Sequence, residues 1–409
     1  MQIAKSLRKP LVLAGIGTGA VATYAYQVAI ARVLGPEAFG LMATILAFMS
    51  IIGIVASGLS PIAAKSSFEE FSSKRVWKIE QDSLFRTSLY LTISIAVCLI
   101  AVSLFFGEAL RLGRMPLILS ALYIPMAAIF AIAVGRMQLG NKLMEMTWVS
   151  AGSASLKLLT ILPIAYFTLG ATSALLLLNV VSLFAVIAAV YVTRDGSPGR
   201  AILWDKRSLH TIIVLTIFWI LSSSDLVAVK ILSTDSDAGL YAAAVSLGRI
   251  LIILSTIYVQ YRFAQFILNL VERKAFSFRY LISETMPVVL LGFIIMFIFY
   301  FFGDELVHAI YGSLYLESES FLTAQAALAM LISINYLLLN FLIIRDSKFI
   351  FTVLICLTTT TAIAYLVSGT IAYTKLEILV ISNLMLLSSI CILLWKQRNV
   401  NCLSPVDVW

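Results

Sequence analysis

The sequence predicts an all-α polytopic membrane protein, and composition, hydropathy and charge placement all support this fold class. Of the 409 residues, 61% are hydrophobic and 12% are charged, and the mean hydropathy is +1.00. A soluble domain keeps most of its residues near water and cannot bury so much apolar side chain. The composition therefore excludes a soluble enzyme, a secreted disulfide scaffold and a disordered regulator.

Twelve apolar segments are long enough to cross a hydrocarbon core about 30 Å thick. Lipid offers the backbone no hydrogen-bond partners, so each segment is predicted to be a helix. The first follows Lys5, Arg8 and Lys9, but it is about twice as long as the apolar region of a signal peptide, and we interpret it as a spanning helix. The predicted spans are residues 11–31, 41–63, 87–106, 115–135, 147–168, 172–192, 211–232, 240–260, 281–302, 321–343, 349–370 and 376–395.

Basic residues are distributed unevenly between the two predicted sides of the membrane. With the N-terminus in the cytoplasm, 22 of the 29 Lys and Arg fall in cytoplasmic segments, and only Arg111, Arg114 and Lys375 fall outside. The other four lie within the spans or at their ends. Lys and Arg are enriched on the cytoplasmic side, so both termini are predicted to be cytoplasmic. This split explains the net charge of +8 without nucleic acid, although a patch that binds anionic lipid is an alternative.

The chain also divides into two similar halves. The turns at residues 31–43 and 229–242 both run from a basic residue through a short acidic stretch to Gly-Leu-x-Ala. Halves with an even number of spans share one orientation, which predicts two six-helix lobes around a central cavity. We place the N-terminal lobe at 1–195, a cytoplasmic link at 196–208 and the C-terminal lobe at 209–409. Chance convergence of two short turns is the alternative.

We select five ionisable residues within or close to the predicted spans as candidate functional residues. Lys157 and Arg249 are near mid-membrane, Asp225 is ~10 Å from an outer helix end, and Arg32 and Lys230 lie near such ends. Inserting a charge at the bilayer centre costs ~2.5–3.5 kcal/mol, so such residues are functional candidates. One carboxylate can neutralise only one cation, which predicts a net positive cavity for an anionic solute. Snorkelling of Arg32 and Lys230, or an ion pair between Asp225 and one of the two deeper cations, are the alternatives.

Polar residues accompany these charges, and enzyme motifs are missing. Tyr24 and Gln27 lie one turn apart in the first span, and Asn179 lies in the sixth, where packing between helices is the alternative role. The sequence contains no phosphate-binding loop, no HExxH, no GxSxG and no CxxC. We therefore predict a protein that is not an enzyme and has no cofactor or metal. An ion gradient or product flow would drive transport, and Asp225 is the candidate for ion coupling.

Two regions resemble bacterial polysaccharide flippases, the O-antigen and exopolysaccharide exporters of the multidrug/oligosaccharidyl-lipid/polysaccharide exporter superfamily. They are residues 31–40, ARVLGPEAFG, and residues 225–230, DLVAVK, followed by AGLYAAA at 238–244. The resemblance implies alternating-access translocation of an undecaprenyl-pyrophosphate-linked oligosaccharide from the cytoplasmic to the outer leaflet of the inner membrane. The family's cationic lumen would map onto Arg32, Lys157, Lys230 and Arg249.

The resemblance also implies partners: the lipid-linked oligosaccharide, membrane lipids and, beyond these, a polysaccharide polymerase and glycosyltransferases, with the chain itself a monomer. A cation-coupled multidrug exporter of the same superfamily is the main alternative. Such an exporter needs an acidic cavity, and Asp225 alone would supply the charge. A glycan polymerase or a membrane scaffold is a third possibility, but a polymerase needs a large outer loop bearing Arg, and the sequence has none.

Overall fold

The computed structural model describes residues 2–57, 81–108, 111–139, 142–194, 206–271, 278–344, 349–368 and 371–398. Helices account for nearly all of these residues, and no strand occurs among them. In chain order the helices are α1 (Gln2–Ser57), α2 (Gln81–Phe106), α3 (Arg114–Leu139), α4 (Leu143–Leu159), α5 (Ile161–Tyr166), α6 (Ala171–Arg194), α7 (Lys206–Leu232), α8 (Asp235–Val271), α9 (Phe278–Ile310), a 3-10 helix (Ser313–Ser318), α10 (Glu319–Ile344), α11 (Phe349–Val367) and α12 (Ala372–Arg398).

Within this part of the chain, ten helical segments are long and apolar enough to cross a membrane, and α2 contains a shorter apolar stretch, Thr92–Phe105. The predicted class of a multi-pass, all-helical membrane protein is therefore confirmed. The count of twelve spans stays a prediction. The second predicted span, for example, cannot be counted in full, because its residues 58–63 lie outside the described residues.

The first predicted span and residues 41–57 of the second lie on the two arms of α1, which meet at a kink at a glycine. The apolar segment Gly17–Met49 has 33 residues, or ~50 Å of helix, which exceeds the thickness of the hydrocarbon core. Gly35 interrupts it with φ 73° and ψ 172°. Glycine adopts a positive φ without the steric cost that a Cβ atom brings, so this residue allows the chain to change direction.

Contacts divide the chain into two compact units, Met1–Thr216 and Ile217–Trp409. The boundary falls inside α7. The predicted link at 196–208 lies mostly outside the described residues, so the three-part division made from the sequence stays a prediction.

In the first unit, α1 packs against α3, α4 and α6, while α3 packs against α2 and α6. Ala133 and Met137 of α3 meet Ala189 of α6 in a buried cluster, where the two small alanine side chains allow a close approach. A short break at Thr160 separates α4 from α5, and the Thr160 hydroxyl donates a 2.6 Å hydrogen bond to the carbonyl of Lys157. The helix that carries Lys157 ends at Leu159, two residues beyond it.

In the second unit, α10 is central and packs against α8, α9 and α12, while α11 packs against α12. In an 18-residue apolar stretch of the span that includes α10, 72% of the residues are buried, against 22% in such a stretch of α9. Along α9 the exposed residues Met286, Leu290, Phe293 and Phe297 recur every three to four positions. This apolar stripe on one side of α9 is the pattern of a helix that faces lipid.

Candidate functional site

The candidate site lies in the second unit, where α7 and α8 are joined by a short turn. Asp225 lies seven residues before the end of α7 and Tyr241 lies six residues into α8, so both are ~10 Å from that turn. The Tyr241 hydroxyl donates a hydrogen bond of 2.7 Å to Oδ2 of Asp225. Asp225 is only 2% exposed. A phenol hydroxyl thus holds one oxygen of a buried carboxylate.

A small cavity opens beside this pair, between α7, α8 and α10. Its walls combine a few polar residues with small or branched apolar ones: Ser222, Asp225, Val245, Gly248, Arg249, Ile252, Gln325, Leu328, Ala329 and Ile332. Asp225 and Arg249 are the charged residues among them. The cavity therefore brings a carboxylate and a guanidinium to one place at membrane depth.

Arg249 lies fourteen residues into α8, or ~21 Å from the α7–α8 turn. Side chains of a helix lean towards its N-terminus, so the guanidinium extends back towards Asp225. No hydrogen bond or ion pair joins Arg249 to another described residue, and its Nη2 atom is buried without a partner. The sequence identified both charges, and the structure adds that they share one cavity without a direct hydrogen bond.

Lys230 has an ion-pair partner that the sequence did not predict. Its ammonium group lies 2.8 Å from Oδ1 of Asp235, and Lys230 is 3% exposed. The ion pair links the last turn of α7 to the first residue of α8. This contact engages the charge of Lys230 at the α7–α8 turn, and a role in a substrate cavity stays a prediction.

The remaining predicted residues belong to the first unit. Arg32 is exposed, three residues before Gly35, and Lys157 is half-buried on α4. Tyr24 and Gln27 are half-buried on α1, which packs against α4. Their assignment to a substrate cavity stays a prediction.

Asn179 of α6 is also buried in the first unit. Its Nδ2 donates 2.9 Å to the carbonyl of Leu175 on the same helix, while Oδ1 has no partner among the described residues. This local bond is the type that a polar residue in an apolar helix makes by itself. The bond satisfies the NH2 group of the side-chain amide but not its oxygen, and the role of Asn179 in a substrate cavity stays a prediction.

Sequence reasoning missed Lys375, which it placed in an outer segment. The residue is 0% exposed, and its Nζ donates to Oγ of Ser368 at 2.8 Å and to the carbonyl of Tyr365 at 3.3 Å. Both acceptors lie at the C-terminal end of α11, where a cation satisfies free carbonyls and complements the helix dipole. The Tyr365 hydroxyl in turn accepts a 3.3 Å hydrogen bond from Ser224. Lys375 thus stabilises the helix end that contacts the neighbour of Asp225.

Glu284 is a second buried carboxylate that sequence reasoning missed. Its Oε2 accepts a 2.7 Å hydrogen bond from Tyr258, and the side chain is buried on α9. Glu284 lies inside the ninth predicted span, so the rule that identified Asp225 would have found it. Tyr258 and Tyr241 are seventeen residues apart on α8, and each donates to a carboxylate. The described residues include no group of three or more His, Cys, Asp or Glu that could hold a metal ion.

More than half of the chain matches the model of a known protein family. Residues 8–260 match the family model described as "Polysaccharide biosynthesis protein". This range includes α7 and most of α8, and hence Asp225, Tyr241 and Arg249. No curated protein matches the chain.

Solved membrane transporters have a similar fold. The structure titled "Lipid II flippase MurJ, inward closed conformation" superposes with a TM-score of 0.68 at 14% identity, covering 96% of this chain and 90% of that one. An inward-facing multidrug resistance MATE family transporter of the MOP superfamily gives 0.64 at 12% identity, with 93% and 95% covered. An outward-facing one gives 0.59 at 14% identity, with 95% and 96% covered. At such identities the likeness concerns the fold.

Proposed function

Because the chain belongs to the polysaccharide biosynthesis protein family, we propose that it translocates an undecaprenyl-pyrophosphate-linked oligosaccharide from the cytoplasmic to the outer leaflet of the inner membrane. The family match confirms the resemblance found in the sequence, and the solved structures that share the fold are transporters and flippases and not enzymes. The particular substrate, the direction of transport, the inner membrane and the cytoplasmic termini belong to the proposal. So do alternating access between two lobes, the monomeric state and an association with a polymerase and glycosyltransferases.

The proposal rests on one observation, the buried guanidinium nitrogen of Arg249 that has no hydrogen-bond partner among the described residues. A guanidinium with a buried, unpartnered nitrogen at membrane depth can offer a phosphate group a hydrogen bond that no described residue takes. Charge at this depth is costly, which favours a functional reason for its presence. Arg32, Lys157 and Lys230 are the further cations proposed to attract the pyrophosphate, and Asp225 is the proposed coupling residue.

Charge reversal at Arg249 tests the proposal in cells that lack their own polysaccharide flippase. We expect the wild-type chain to restore surface polysaccharide, Arg249→Glu to abolish it, and Arg249→Lys to retain part of it. Arg114→Glu is the matched control, because Arg114 is exposed and pairs with Glu108 at 3.1 Å on the surface. Normal polysaccharide in cells that carry Arg249→Glu, at normal protein level, would contradict the proposal.

Multidrug export is the second candidate function, favoured by the fold shared with two MATE transporters. A cationic drug would need Asp225 as its partner, but Arg249 lines the same cavity and disfavours a cation there. Drug resistance on overexpression that is lost in Asp225→Asn and kept in Arg249→Glu would favour export of drugs over flipping.

A further inference from the structure

The cavity beside Asp225 is lined by buried hydrogen-bond donors and acceptors that lack partners among the described residues. Oδ1 of Asp225 is an acceptor, whereas Nη2 of Arg249 and Nε2 of Gln325 are donors, and none of them has a partner in the described part of the chain. All three side chains line the one cavity. Burying such atoms unpaired is costly, so a guest that supplies the missing hydrogen bonds would be stabilised there.

We propose that this cavity binds one oxyanion group of a phosphate ester together with one proton, which is held on Asp225. The proposal deepens the flippase function and rests on it for the source of the oxyanion, since a lipid-linked diphosphate presents this chemistry. Free inorganic phosphate and pyrophosphate present it as well, and the experiment below distinguishes the sources.

Charge balance is the reason for the proton. Asp225 and Arg249 are the charged residues that line the cavity, and their formal charges cancel when both are ionised. An anion alone would leave a net negative charge at membrane depth and would face the carboxylate Oδ1, and both effects are costly in a medium of low dielectric constant. A proton on Oδ1 removes the excess charge and turns this acceptor into a donor. The anion then receives hydrogen bonds from Asp225, Arg249 and Gln325.

The groups around Asp225 are compatible with this exchange of a proton. From α8 it faces Tyr241 and Arg249, and α10 contributes Gln325, which carries no charge. From α11, Tyr365 approaches through the hydroxyl of Ser224. On α12, Lys375 donates its hydrogen bonds to the end of α11, as described above.

Tyr241 also determines which carboxylate oxygen is free. It already donates to Oδ2, so Oδ1 is the oxygen left for the proton. A water molecule could satisfy the same three atoms, by accepting from Arg249 and Gln325 and donating to Oδ1 of ionised Asp225. Its occupancy would depend neither on pH nor on anion concentration, so the two guests can be told apart.

Bromide is a suitable first probe, because it is monovalent and does not titrate. The full chain in lipid nanodiscs would be titrated with potassium bromide by calorimetry, with potassium gluconate holding the ionic strength constant. Repeating the titration in buffers of different ionisation enthalpy gives the number of protons taken up. Where the empty site holds ionised Asp225, we expect about one proton per bromide and an apparent Kd that weakens about tenfold per pH unit.

Two variants identify the residues responsible. Asp225→Asn should bind bromide without proton uptake and without the pH slope, and Arg249→Gln should weaken binding at least tenfold. Proton uptake near zero in the wild type at every pH tested, or no saturable bromide binding, would overturn the proposal and leave water as the guest. Persistence of the slope in Asp225→Asn would overturn it too. If that variant does not fold, the proton count of the wild type still decides.

Competition at one fixed pH then distinguishes the sources of the oxyanion. Farnesyl diphosphate that displaces bromide better than inorganic pyrophosphate would support a lipid-linked group, and equal displacement would support a free phosphate. Displacement by neither would overturn the assignment to phosphate. These measurements involve no oligosaccharide. A chain with intact proton linkage that fails to restore surface polysaccharide would therefore contradict the proposed function alone.

Discussion

Gly248 of α8 lies directly against Gln325 of α10: a Cβ atom at Gly248 would come within 3.1 Å of the Gln325 carbonyl oxygen and 3.2 Å of its Cβ. Both residues line the cavity that holds Asp225 and Arg249. Small residues allow helices to approach closely in membranes. The absence of a side chain at Gly248 thus sets the width of the site.

Gly248→Ala should destabilise the protein and impair transport, because the new methyl group meets the backbone of α10, which cannot rotate away. We expect a loss of about 1–3 kcal/mol in unfolding free energy, as for other overpacked sites. Thermal unfolding in detergent measures it. Gly152→Ala is the control, since a Cβ there meets nothing within 4 Å, and this change should be neutral or slightly stabilising. Equal effects of the two substitutions would contradict the packing argument.

Tyr241→Phe should destabilise the second unit by removing the donor to Asp225 and leaving a buried carboxylate oxygen unpaired. We expect a cost of about 1–3 kcal/mol, and much less once Asp225 is already Asn. A double-mutant cycle with thermal unfolding measures this coupling. Tyr166→Phe is the control, because Tyr166 is 82% exposed. Additive effects of the changes at Tyr241 and Asp225 would show that their hydrogen bond contributes nothing to stability.

Lys375→Met should destabilise the end of α11, because it removes the cation that donates to Ser368 and to the Tyr365 carbonyl. The expected loss is about 1–2 kcal/mol, the upper range for a charge at a helix terminus. Hydrogen exchange at residues 364–368 should become faster while exchange in α9 stays unchanged. Unaltered exchange at these residues would contradict the capping role.

Exchanging the charges of Lys230 and Asp235 tests whether their ion pair is structural. Lys230→Asp alone should lower stability by about 3 kcal/mol or more, since it buries a carboxylate beside Asp235. The double variant Lys230→Asp with Asp235→Lys should recover part of that loss in thermal unfolding. If it recovers stability and surface polysaccharide together, the positive charge at Lys230 is not needed in the substrate cavity. Recovery of stability alone would support the predicted role of Lys230.

The sequence was sufficient for the general class and for the two central charges. Composition and apolar segment length depend on no tertiary contact, and a charge inside an apolar run is visible in one dimension, which is why Asp225 and Arg249 could be found. Their common cavity could not be found, because it depends on the rotation of α7 and α8 about their axes. The hydrogen bond from Tyr241 to Asp225 could not be predicted either, since a tyrosine in an apolar helix can have many roles.

Helix boundaries and helix packing explain why the sequence analysis missed the other residues. Lys375 lies one residue before the last predicted span, so a small error in the boundary separated a buried residue from an exposed loop. Gly248 and Gln325 are far apart in the sequence and become neighbours only through the packing of α8 on α10. The first two predicted spans show a related effect: the polar turn around Arg32 and Glu37 separates them in the sequence, whereas the structure joins them directly at Gly35 without a loop.

That shared helix has a mechanical consequence at Gly35. Helical structure continues on both sides of this residue, so its two arms have no slack loop between them. Rotation of one arm about its own axis must pass to the other through the torsion angles of a single residue. Because the φ and ψ torsions of Gly35 alone can absorb a movement of one arm, a larger movement would carry the other arm along, and inserting a few flexible residues after Gly35 would separate their motions.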